Sequence, residues 1–160
     1  AVLNGLESQN NLKELGNDIF NYFGLGCRNV SKIFVPNGYN FDKLFEALYE
    51  FKNIINHNKY VNNYDFNKAV FLMNEEKFLD NGFLIIKEDK SFGSPIGCVF
   101  YEYYDEVSEV LDYKEKNQQK IQCIVSNGII ENSINFGQSQ KPKLKNYADD
   151  IDTINFLLKI

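Results

Sequence analysis

Leu12, Leu15, Ile19, Phe20 and Phe23 recur at helical spacing, with Glu7 and Ser8 supplying acidic and capping character ahead of them. The pattern predicts a first helix that Gly24 ends, preceded by a short apolar start at residues 1–3. Residues 31–35 predict a strand stopped by Pro36, and Phe41, Leu44, Phe45, Leu48 and Phe51 form the apolar stripe of a second helix. A third helix is expected over about residues 65–76, where Phe66, Ala69, Val70 and Met73 share a face, before Asn81-Gly82 turns the chain. Residues 83–86 read as a buried strand and 96–101 as another. An acidic helix carrying Val107, Val110 and Leu111 follows, and then a strand-like run at 121–125. Strands alternating with helices predict an α/β sheet. From Ile129 the pattern dissolves into polar loops until Ile151, Ile154, Phe156, Leu158 and Ile160, which predict a C-terminal extended segment. An unpaired strand of that kind is expected to pair with another copy, giving a homo-oligomer.

Length and composition narrow this picture. At 160 residues with 44% hydrophobic positions, the chain reads as one domain with an ordinary core, free of repeats and Pro- or Gly-rich linkers. The formal net charge of -5 argues against nucleic acid as a partner, because no overall positive field exists to neutralise phosphates. The longest apolar runs fall far short of the roughly 20 residues that span a bilayer, so no membrane span is expected. Three cysteines, Cys27, Cys98 and Cys123, form no CxxC pair, which predicts neither a disulfide framework nor a zinc site and makes a cytoplasmic location the expectation.

Candidate chemistry centres on Gly24-Leu25-Gly26-Cys27-Arg28-Asn29, a thiol in a glycine-flanked turn between a helix and a strand. Small neighbours let a substrate approach, and a positive neighbour such as Arg28 favours a thiolate nucleophile. The structural alternative is a cysteine in a helix-ending loop. Cys98 and Cys123 sit in apolar strand-like runs and read as buried. The glycines are no dinucleotide fingerprint, since the third is missing and the loop runs from helix to strand. His57, the only histidine, stands in a polar stretch and signals neither a metal site nor a Cys-His pair; no metal is expected. Asp149, Asp150 and Asp152 lack calcium-loop spacing and read as a solvated cluster. Tyr101 to Asp105 reads as sheet packing, and Tyr60, Tyr64 and Phe66 among asparagines as a capped helix start.

The stretch Gly24 to Val35, followed by Tyr39 and by Phe41 to Leu48, resembles the segment around the catalytic cysteine of the aldehyde dehydrogenase superfamily. The closer resemblance is to the long-chain fatty acyl-CoA reductases, the family that includes the reductase supplying aldehyde for bacterial bioluminescence. It is carried by Tyr22 to Ser31, Asn58 to Tyr64, Ser94-Pro95-Ile96-Gly97, Tyr147-Ala148-Asp149 and Asp152-Thr153. The resemblance implies a three-layer α/β catalytic domain spanning residues 1–160, the C-terminal half of a larger enzyme whose N-terminal cofactor domain is absent here. It implies that Cys27 takes a fatty acyl group from acyl-CoA as a thioester that NADPH reduces to aldehyde. Gly24, Gly26, Arg28 and Asn29 would then form the active-site loop. Phe92 would meet the cofactor, which the absent domain mainly binds. In Asp89-Lys90-Ser91-Phe92-Gly93, Lys90 stands where the superfamily has the glutamate that holds the nicotinamide ribose. The superfamily's general base and oxyanion asparagine lie upstream of this chain. Two other classes stand beside this reading: an NAD(P)-dependent aldehyde dehydrogenase that oxidises aldehydes, and a non-catalytic interaction domain that keeps the fold.

Overall fold

The computed structural model describes residues 1–144, 146–147 and 151–159. Ala148, Asp149, Asp150 and Ile160, on which parts of the sequence reading fall, lie outside the described residues. Helix α1 spans Gln9–Phe20 and starts on a capping box, in which the Ser8 hydroxyl accepts the Asn11 N–H and the Asn11 side chain accepts the Ser8 N–H. A 3-10 turn at Asn21–Gly24 follows, then β1 at Lys32–Pro36, α2 at Asp42–Leu48, a 3-10 stretch at Tyr49–Asn56, and α3 at Asn58–Met73. Strands β2 (Leu79–Asp80), β3 (Ile85–Glu88) and β4 (Cys98–Tyr104), helix α4 (Val107–Lys116), a 3-10 turn at Gln118–Lys120 and helix α5 (Thr153–Leu157) complete the order. The four strands form one mixed sheet in the order β1-β4-β3-β2. Both β1 and β3 run parallel to β4, with Lys32 opposite Phe100 and Ile85 opposite Cys98, and β2 is antiparallel to β3. The protein is therefore α/β, as its alternation predicts.

The main core joins α1, α2 and α3 to the sheet through Leu12, Leu15, Ile33, Val35, Leu44, Leu48, Tyr60, Ile86 and Val99, all nearly inaccessible. A second cluster of Val2, Tyr104, Val110 and Ile130, with Phe34 packed against it, brings α4 and the 124–130 segment onto the sheet. Period-two alternation explains the division: Ile33 and Val35 enter the main core while Phe34 joins the second cluster. Among the described residues no helix is long and apolar enough to cross a membrane.

Several elements depart from the sequence reading, each for a physical reason. Pro36 ends β1 from within; the strand lies at the sheet edge, where a missing N–H is tolerated. Helix α3 begins seven residues early, and its buried face is Tyr60, Tyr64 and Phe71 rather than Phe66, Ala69 and Met73, which are exposed. The two tyrosines hold that face by donating to the Phe83 carbonyl at 2.8 Å and to Asp80 at 2.7 Å. Residues 83–86 are all buried as expected, yet the strand starts at Ile85, because Asn81 accepts the Phe83 and Leu84 N–H groups in the turn. Residues 121–125 make no strand: Val125 forms only an isolated bridge with Ile134. The C-terminal extended segment is instead the short helix α5, started by Asp152, which accepts the Asn155 N–H at 2.9 Å.

Candidate active site

The site is built where two irregular segments meet the start of β1. The first is the loop from α1 to β1. Its Asn29 N–H donates to the Gly26 carbonyl at 2.9 Å, and its Val30 N–H donates to the Asp18 carbonyl at 3.0 Å. Gly24 turns the chain at φ +75°, a conformation that favours glycine, and a Cβ on Gly26 would fall 2.4 Å from the Gln140 side chain. Tyr22 and Phe23 are left-handed without being glycine, at φ 55° and 61°, and both are exposed. Phe23 stacks on His57 with 3.9 Å between ring centroids, so the histidine braces the loop. Cys27 is exposed within this loop.

The second segment is the connection of residues 89–97 between the parallel neighbours β3 and β4. Parallel strands require a crossover, usually a helix; here an irregular loop makes it. Lys32, at the first position of β1, is almost fully buried and holds that loop in place. Its ammonium donates to the carbonyls of Asp89 at 3.2 Å and Ser91 at 3.1 Å and to the Tyr113 hydroxyl at 3.3 Å, and pairs with Glu102. The Ser31 hydroxyl donates to the Phe92 carbonyl at 3.2 Å. Phe92 thereby packs on Tyr113 of α4, with ring centroids 5.2 Å apart.

Between the two segments, α4 and the 120–125 run lies a cavity of about 230 Å³. Cys27, Arg28 and Asn29 line it together with Phe92, although Phe92 is 65 residues from Cys27 in sequence (92 minus 27). Gly24 and Gly26 shape the loop without lining the cavity, and His57 lies off it. Among the described residues, the Cys27 and Arg28 N–H groups make no backbone hydrogen bond.

The other two thiols differ from Cys27 in opposite ways. Cys98 starts β4 and is buried, and that burial pushes its thiol up to about 12, leaving it protonated and inert at neutral pH. Cys123 is not in a strand: it is half-buried and lines the same cavity as Cys27. Sequence reasoning also passed over Lys32, Tyr113, Lys114 and Lys120, all on the cavity. The available signal was Lys32 itself, a lysine leading an apolar strand, where a lone charge is rarely buried without a partner. The run Tyr101 to Asp105 behaves as packing, with Tyr101 against Phe41 and Tyr103 at 4.7 and 5.2 Å. The chain matches no family model and no curated protein.

Proposed function

We propose that this chain is the catalytic domain of a fatty acyl-CoA reductase of the aldehyde dehydrogenase type, with Cys27 as the acyl acceptor. The observation that carries the reading is the convergence of Cys27 and Phe92 on one cavity, because the resemblance assigns these two residues to thioester and cofactor respectively. The packing of α1 to α3 and of α4 into separate clusters on the sheet supports the three-layer arrangement that goes with it.

In this mechanism the Cys27 thiolate attacks the thioester carbonyl carbon. The carbonyl electron pair moves onto oxygen, where the Cys27 N–H can donate to it. The oxyanion then collapses, the bond to the carrier sulfur breaks, the carrier leaves as a thiolate, and the acyl group remains on Cys27. A thiolate leaving group needs little general-acid help, so the position of His57 off the cavity is no obstacle. NADPH, when bound, supplies the hydride that converts such a thioester to an aldehyde; Phe92 is the residue of this chain that would meet it. The apolar wall of Val30, Phe34 and Val110 suits an acyl chain.

The test is covalent capture. Incubated with radiolabelled long-chain acyl-CoA and no NADPH, the protein is expected to take up one hydroxylamine-labile label, located at Cys27 by mass spectrometry, and Cys27→Ser to lose it. Labelling that survives in Cys27→Ser, or no labelling of a folded protein, overturns the reading. The non-catalytic alternative expects the second result. An aldehyde-oxidising enzyme expects label from aldehyde with NAD(P) instead.

A further inference from the structure

The described residues lining the Cys27 cavity include four cations, Arg28, Lys32, Lys114 and Lys120, and no carboxylate, in a chain whose net charge is -5. Lys32 is neutralised by Glu102, whereas Arg28, Lys114 and Lys120 form no ion pair among the described residues. They come from three separate segments, the cysteine loop, α4 and the turn after it, and Arg28 and Lys114 are half-buried while Lys120 is exposed. Lys120 lies over the Phe92 ring, 5.5 Å from its centroid, which fixes one cation beside the apolar wall. Charge of one sign around a concave, low-dielectric site focuses the field on whatever enters it.

We propose that this cavity takes a phosphorylated organic ligand, whose phosphates meet Arg28, Lys114 and Lys120. Phosphate is favoured over carboxylate because three separated cations match a ligand carrying several negative charges. Identifying that ligand with the nucleotide-like carrier half of the thioester rests on the function proposed above; the preference for phosphate rests on the cavity alone.

Isothermal titration of the chain with adenosine 3′,5′-bisphosphate, with adenosine and with dioctanoyl phosphatidate separates the sources of the phosphate. The bisphosphate is expected to bind, weaken as salt rises, and slow iodoacetamide labelling of Cys27. Adenosine is expected not to bind. The Lys114→Gln/Lys120→Gln variant is expected to lose about tenfold or more in bisphosphate affinity, and Lys114→Arg/Lys120→Arg to retain it. Equal affinity of the glutamine variant and the parent, or binding of adenosine as tight as that of the bisphosphate, overturns the proposal. Tighter binding of phosphatidate than of bisphosphate overturns the assignment to a nucleotide-like carrier. Acyl labelling of Cys27 that bisphosphate does not slow would sink this inference while sparing acyl transfer. Protection by bisphosphate without acyl labelling would do the reverse.

Discussion

At the scale of single residues, the three thiols differ by environment alone. With limiting iodoacetamide at pH 7, peptide mapping is expected to find Cys27 modified first and Cys98 last, reacting only when the protein unfolds. Earlier labelling of Cys98 would contradict its burial. Lys32 is the other decisive residue. Lys32→Met strands Glu102 and frees the Asp89 and Ser91 carbonyls, so a loss of about 3 kcal/mol is expected in urea unfolding, at the low end for a broken pair because Glu102 keeps some contact with water. Adding Glu102→Leu should recover part of that loss, which a double-mutant cycle would measure. Cys27 was legible in the sequence because its signal, two glycines and a cation, is local. Lys32 was not, because its partners lie 57, 59, 70 and 81 residues away.

At the scale of elements, α1 and α2 approach closely at Gly16, where an added Cβ would fall 2.3 Å from the Phe51 ring and 2.9 Å from Leu48. Gly16→Ala gains about 1 kcal/mol of helix propensity, but Leu48 is fully buried and Phe51 is stacked on Phe20, so overpacking costs about 2 kcal/mol. A net destabilisation of about 1 kcal/mol is expected in urea unfolding, and a more stable variant would mean that the Phe51 ring yields. Helices with a single apolar stripe, such as α1, were legible. The start of α3 was hidden because its core contacts are tyrosines whose hydroxyls need partners in β2 and the β2–β3 turn. The 121–125 run is apolar because it walls a cavity and, through Ile124 and Val125, packs on the core, uses that periodicity cannot distinguish from a strand.

For the whole molecule, the response to acid follows from carboxylates of opposite character. The Lys87 ammonium, 2.6 Å from Asp89, and the Ser91 N–H hold the Asp89 carboxyl down at about 2. Hydrogen bonding from Lys87 likewise lowers Glu76, and bonds from Lys68 and Tyr64 lower Asp80 despite its partial burial. Groups depressed in the folded state stabilise it above their unfolded value near 4, and that stability drains as the pH falls from about 4 to about 2. Burial raises Asp18, a rise that its hydrogen bonds from residues 137 and 139 only partly offset. A raised carboxyl has the opposite sign: folding gains as the pH falls toward 4. Urea midpoints from pH 7 to 2 are therefore expected to rise slightly as the pH falls toward 4 and then to drop. Asp89→Asn should shrink the drop, and Asp18→Asn should remove the gain that precedes it; an unchanged profile in both would refute the assignment.

The clasp at Asp18 also sets a clock on synthesis. Its backbone carbonyl receives the end of the cysteine loop, and its carboxylate receives the Gly137 and Ser139 N–H groups, which emerge 119 and 121 residues later. At roughly 5–20 residues per second, a ribosome needs on the order of ten seconds to cover that gap. For most of that interval the thiol has already been made while α4 and the 120–125 wall of its cavity have not. A growing chain thus presents Cys27 to cellular electrophiles before its cavity exists, and because the thiol stays exposed once the protein has folded, the exposure during translation adds to that of the folded lifetime.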